Sequence, residues 1–221
     1  MGKSPQGILG PTSGKVGPVV FYVVNGQTFS RSIPSKRTGK KSQKEKANTG
    51  GFAKVQLFMK PISDYLKVGF KDYGSKTGGY KAAVSYALKN AVEGDPENRV
   101  VNPEKVRVCG GELHFPNSAA IELEAENFLR FTWSTEAGDN GGEYDQVFML
   151  AYAPPKKKMG KWKYCAQPTG AFRKVGTDGL QLVSYKKEVL YHIYMGFVAR
   201  DRSSQAHSVY LGTVTVPARE S

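Results

Sequence analysis

Residues 119–133 carry the pattern that decides the fold: Ala-Ala-Ile-Glu-Leu-Glu-Ala-Glu-Asn-Phe-Leu-Arg-Phe-Thr-Trp. In the first half of this stretch, Ile121, Leu123 and Ala125 alternate with three glutamates. Because the side chains of a strand point alternately to its two faces, this alternation predicts one apolar and one acidic face. The stretch therefore indicates a strand with one solvated side, as antiparallel sheets have.

Further β-prone runs continue to the end of the chain at intervals of roughly ten residues, with turn-forming residues between them. This spacing is typical of an antiparallel β-sandwich. Trp133 on an early strand and the apolar residues of 191–198 on a late one resemble the core of fibronectin type III and immunoglobulin-like modules, a resemblance of fold alone. We predict strands at residues 106–108, 119–126, 128–133, 146–153, 161–165, 171–175, 180–185, 189–200 and 208–216.

Before these strands, apolar residues recur at the three- and four-residue intervals of a helix face. They run from Phe52 to Leu66, and the preceding Ser42-Gln-Lys-Glu45 has the spacing of a capping box. We predict a helix from about 43 to 70, broken or kinked at Pro61 because proline lacks the backbone donor that a helix interior needs.

A second amphipathic helix is predicted over residues 80–91, where apolar side chains again follow the helical period. Gly94 and Pro96 are typical residues just beyond a helix end. The two helices are expected to pack against each other as a helical hairpin. They define a helical region of residues 36–95.

The N-terminal region combines an extended arm with a β-hairpin. The arm is the Gly- and Pro-rich segment 2–18, and the hairpin joins two β-prone runs, 19–24 and 27–32, through Asn25-Gly26. Asn-Gly supplies the positive φ angles of a type I′ turn. An isolated hairpin is only marginally stable in water, so it must pack on the rest of the chain or on another copy.

The expected architecture is therefore α+β, in three parts. Residues 1–35 form the extended arm and β-hairpin, residues 36–95 the central helical hairpin, and residues 96–221 an antiparallel β-sandwich of immunoglobulin or fibronectin III type. This order of a strand pair, then helices, then a run of strands is typical of the α+β class.

Positive charge is concentrated in the N-terminal third. Of a net charge of +13, residues 1–81 contribute +12. Such asymmetry favours nucleic acid, an acidic membrane surface or an acidic patch on a partner subunit. The alternatives are a solvated linker and a lysine-rich loop that protects a sheet edge. Candidate polyanion-binding residues are Arg31, Lys36, Arg37, Lys40, Lys41, Lys156, Lys157, Lys158, Lys161, Trp162, Lys163 and Tyr164.

Catalytic and metal-binding patterns are missing from the sequence. Three histidines show no metal-ligand spacing, and the segment 10–16, Gly-Pro-Thr-Ser-Gly-Lys-Val, is one residue short of a phosphate-binding loop and lacks its final Ser or Thr. The glutamates of 122–126 have the period of a solvated strand face. We expect no enzymatic activity, no cofactor and no metal site.

Cellular location follows from what the N-terminus and the cysteines predict. Glycines and prolines interrupt any apolar signal-peptide core, and no run approaches the ~20 apolar residues that span a bilayer. Cys109 and Cys165 are far apart, so two free buried thiols are expected. The expected location is the cytoplasm, with release or association with a virion left open.

Four short motifs are spread along the chain: Gly7-Ile-Leu-Gly10, Ser13-Gly-Lys-Val-Gly17, Ala82-Ala-Val-Ser-Tyr-Ala-Leu-Lys-Asn90 and Tyr210-Leu-Gly212. They resemble motifs of the domain of unknown function 6266 family, found largely in Bacteroidota, and Gly-Lys-Val-Gly is the most specific part. The resemblance covers nearly the whole chain. It implies a family and a source but no activity, because the family has none assigned.

Together these patterns predict a non-enzymatic structural subunit that forms a homo-oligomer or larger assembly, such as a filament, an appendage or a phage-like particle. The N-terminal arm would reach a neighbouring subunit, since strand addition at a sheet edge is a known route to such contacts. A nucleic-acid-binding protein is the first alternative and a carbohydrate-binding or adhesion module the second. The predicted assembly contacts are Ile8, Leu9, Val16, Val19, Val20, Phe21 and Phe29.

Overall fold

The computed structural model describes residues 2–4, 10–24, 26–36, 38–71, 73, 78–155 and 161–219. The chain divides into two compact units, residues 1–41 and 42–221. Helices and antiparallel sheets are both present, which confirms the α+β class. The three-part division at residues 35 and 95 stays a prediction.

The first unit is a three-stranded antiparallel sheet. The predicted hairpin is confirmed as β2 (Val19–Val24) and β3 (Gln27–Ser32), although Asn25 of its turn lies outside the described residues. The end of the predicted arm forms a further strand, β1 (Gly14–Val16), paired with β2. Gly17 makes this possible, because its φ of 55° is one that glycine adopts readily in a tight turn.

The second unit contains three α-helices, two sheets of three and four strands, and a two-stranded ribbon within the described residues. The elements are α1 (Gln43–Met59), α2 (Ser63–Gly69), α3 (Gly79–Asn90), β4 (Val92–Glu93), β5 (Val100–Val101), β6 (Ala119–Leu123), β7 (Phe128–Trp133), β8 (Gln146–Ala153), β9 (Lys163–Gln167), β10 (Thr177–Gln181), β11 (Val189–Val198) and β12 (Val209–Val216). The sheet orders are β10-β7-β6, β12-β11-β8-β9 and β4-β5.

The four-stranded sheet is the middle layer of this unit, and β8 shows why. Its side chains alternate between two apolar cores: Phe148, Leu150 and Tyr152 pack with the helices, whereas Val147 and Met149 pack with the three-stranded sheet. A strand covered on both faces has a nearly continuous apolar sequence. The unit is therefore a β-sandwich with a helical layer on one side.

The helical region begins as the capping-box pattern predicts. The Ser42 hydroxyl accepts the Glu45 N–H at 3.3 Å, and the Glu45 carboxylate accepts the Ser42 N–H at 2.8 Å. The helix then passes through a single 3₁₀ turn, Lys60–Ile62, before α2. This turn contains Pro61, so the predicted break is confirmed.

Replacing Ser42 with alanine is expected to lower the free energy of unfolding by about 1 kcal/mol, because the Glu45 N–H loses its acceptor. The melting temperature of the full-length chain should fall by about 2–4 °C. Ser42→Asp is the matched control, since aspartate caps a helix equally well. Equal melting temperatures for the alanine and aspartate variants would show that the cap contributes nothing.

Several predicted strands have a different structure. Residues 171–175 contain a 3₁₀ turn, Arg173–Val175, in place of a strand. Residues 106–108 form no strand, because the Val108 N–H donates instead to the Ser208 hydroxyl at 2.9 Å. The strand predicted to end at 126 ends at Leu123, and a φ of 59° at Glu126 turns the chain toward β7.

Candidate assembly surface

The N-terminal sheet presents two faces whose composition follows from its register. Phe21 lies opposite Gly14 on one side and Ser30 on the other, and directly opposed residues share a face. We call the face that carries Phe21 the neutral face. Its members are Gly14, Val16, Val19, Phe21, Val23, Thr28, Ser30 and Ser32, none of which is charged.

The opposite face, which we call the basic face, is aromatic and positively charged. The Tyr22 and Phe29 rings stack with their centroids 5.8 Å apart, and the Arg31 guanidinium lies 5.8 Å from the centre of the Tyr22 ring. Its members are Lys15, Val20, Tyr22, Val24, Gln27, Phe29 and Arg31. Such a face combines apolar area with cations that attract an anionic surface.

The described side chains on both faces are partly or fully exposed. No described residue of the first unit is buried, and the side chains of Val16, Val23 and Phe29 are 49%, 48% and 42% exposed. Large apolar side chains left in contact with water at this density mark an interaction surface more often than a monomer's exterior.

The predicted assembly residues are divided between these faces. Val16, Val19 and Phe21 lie on the neutral face, whereas Val20 and Phe29 lie on the basic face. Ile8 and Leu9 lie outside the described residues. Tyr22 was missed by the sequence prediction, although the alternation of β2 and the position of the Asn-Gly turn place it beside Phe29.

The predicted polyanion-binding residues fall into both compact units. Arg31 belongs to the basic face, and Lys36, Lys40 and Lys41 lie in the irregular segment before α1. Arg37 and the lysines of 156–158 lie outside the described residues. The sequence of the first unit contains no acidic residue.

Residues 161–164, in the second unit, comprise the two residues before β9 and its first two residues. Trp162 and Tyr164 are 52% and 40% exposed, as a stacking site requires. The Lys163 amine instead lies 3.6 Å from the centre of the Tyr185 ring. Burial, assisted by the charge of Lys161, lowers the pKa of Lys163. Lys163 is therefore engaged within the fold.

His192 and Glu124 make structural contacts. The His192 imidazole lies 3.0 Å from the Tyr210 hydroxyl, and burial lowers its pKa. Glu124 accepts two hydrogen bonds from Arg130, which lower the pKa of its carboxyl group. Across the described ranges, no group of three or more His, Cys, Asp or Glu side chains could hold a metal ion.

Arg173 is the most deeply buried charged residue in the described part of the chain. Its side chain is fully buried, and its Nη2 atom donates to the Asp145 carboxylate at 3.2 Å and to the His114 carbonyl at 2.7 Å. The guanidinium lies 4.3 Å from the centre of the Phe197 ring. The ion pair of Asp145 and Arg173 therefore connects the loop before β8 to the 3₁₀ turn at 173–175.

Comparison with known families gives a match over residues 11–212 to the model of a family described as "Family of unknown function (DUF6266)". No curated protein and no solved structure matches the chain. Among the described residues, no helix has the length and apolarity needed to cross a membrane.

Proposed function

We propose that this chain, which belongs to the DUF6266 family of unknown function, is a non-enzymatic structural subunit that self-assembles through its N-terminal sheet. The proposed assembly is a filament, an appendage or a phage-like particle. The subunit's location would be the cytoplasm, with release or incorporation into a virion as the alternative. A source in the Bacteroidota belongs to the same proposal.

The observation that carries the proposal is that none of the described residues of the first unit is buried. A sheet of three short strands needs a packed face to be stable, yet every described residue of this unit is partly or fully exposed. Each Å² of apolar surface removed from water contributes about 25 cal/mol. A neighbouring subunit that covers the sheet would supply the stabilisation that the unit lacks by itself.

The cores of the second unit support the proposal that the two units have different roles. Among the described residues, both apolar cores of the second unit consist of residues from Val55 onward. The second unit can therefore fold around its own cores. The first unit is left available for contacts between subunits.

Nucleic-acid binding is the second candidate function, favoured by the exposed rings of Trp162 and Tyr164 beside Lys161. Bases stack on such rings, and lysines contact the phosphates. The engagement of Lys163 with Tyr185 reduces the charge available at this site. We therefore rank this candidate below self-assembly.

Salt dependence separates the two functions. After nuclease treatment, light scattering and negative-stain imaging of the full-length protein should show regular particles at both 50 mM and 200 mM salt. Contacts with several phosphates would instead lose about 10³-fold or more in affinity over this range. A monomeric protein that has shed nucleic acid would refute self-assembly and favour the alternative.

A further inference from the structure

The two faces of the N-terminal sheet differ in whether two copies can meet on them. Lys15 and Arg31 both project from the basic face and lie opposite Val20 on its two sides. If two basic faces met, four cations would be brought into one interface, and like charges there oppose association. The neutral face carries no charged side chain, so two copies can meet on it without that repulsion.

The neutral face places large side chains beside small ones, which suits contact with the same face of a second copy. Phe21 is its largest side chain and stands in a row between Gly14 and Ser30. Val19 and Val23 continue the ridge along β2, whereas β3 contributes only Thr and Ser to this face. Alternation of large and small side chains is what lets facing sheets interdigitate.

We infer that two copies of this chain pair through the neutral faces of their N-terminal sheets, related by a two-fold axis. This inference rests on the proposed function and names the partner and the face. The basic face stays outward in the pair. It is then available to an acidic surface elsewhere in the assembly.

The size of the neutral face limits how strong one such contact is. Two strands about 20 Å long and one about 10 Å long cover roughly 240 Å², given a spacing of about 4.8 Å between strands. Stable complexes bury about 800 Å² on each partner. Pairing is therefore concentration-dependent in solution and becomes stable where several copies are held together.

Phe21 and Tyr22 provide a matched test, because they are consecutive aromatic residues of β2 on opposite faces. Phe21→Lys should raise the concentration at which the full-length protein associates by about 100-fold, since an unpaired ammonium would be buried. Tyr22→Lys should change it by less than about threefold. An equal or larger effect of Tyr22→Lys would overturn the assignment of the face.

Cross-linking keeps the inference testable even if Phe21→Lys disturbs the sheet. Val19→Cys places a thiol on the neutral face, and Val20→Cys places one on the basic face. A bis-maleimide spanning about 10 Å matches the distance between packed sheets. The native thiols give little background, because Cys109 and Cys165 are buried and burial raises the pKa of Cys109 to about 12.

The expected result is a covalent dimer with Val19→Cys and none with Val20→Cys. A dimer with Val20→Cys alone, or with neither variant in a sample that scattering shows to be assembled, would overturn pairing through the neutral face. Those outcomes leave the proposed function standing. If unmodified full-length protein is monomeric at every concentration, the proposed function itself fails.

Discussion

Replacing Asp145 with alanine is expected to destabilise the second unit by about 3–5 kcal/mol, because it leaves the buried Arg173 guanidinium without a counter-charge. The substitution also removes the acceptor of the Gly142 N–H, which donates to Asp145 at 2.7 Å. Thermal unfolding of the full-length chain should shift down by about 6–20 °C.

The double variant Asp145→Leu, Arg173→Met is the control for this prediction. Apolar residues of similar volume often replace a buried ion pair without loss of stability, so the double variant should unfold at a higher temperature than Asp145→Ala. If Asp145→Ala unfolds within about 2 °C of the unmodified chain, the pair has no structural importance.

Deletion of residues 1–34 is expected to abolish assembly while leaving the second unit folded. Among the described residues, the apolar cores contain none from the deleted segment, so the melting temperature should change by no more than about 4 °C. Size-exclusion chromatography should show a monomer. A deletion variant with the particle size of the full-length protein would rule out the N-terminal sheet as the assembly surface.

The local sequence pattern was sufficient to predict the elements that are determined by contacts between residues close in the sequence. The strands at 128–133 and 146–153 agree with prediction at both ends, and the capping box at Ser42 forms as its spacing requires. The hairpin of β2 and β3 follows from the Asn-Gly dipeptide between two β-prone runs. In each case the deciding interactions join residues a few positions apart.

Long-range contacts explain why other features were not predicted from the sequence. Residues 171–175 have the β propensity of a strand, but a 3₁₀ turn there buries Arg173 against Asp145, a residue 28 positions earlier. Nothing in the local sequence marks that partner. Likewise, the apolar run of β8 does not reveal that helices cover one of its faces, since periodicity cannot distinguish two covering layers from one.

The candidate surface was predicted only in part. Apolarity selected Val16, Val19, Phe21 and Phe29, but the sequence prediction treated the arm as extended and so did not separate two faces. That separation depends on β1, whose turn at Gly17-Pro18 aligns Val16 with Val19. Recognition of this turn would have placed the charges of Lys15 and Arg31 on the face opposite Phe21.

Sedimentation velocity of the unmodified full-length protein, after nuclease treatment and across a concentration series, tests the central claim most directly. Self-assembly predicts a sedimentation coefficient that rises with concentration toward particles much larger than the 24.2 kDa chain. A single species with the mass of one chain at every concentration would contradict the account.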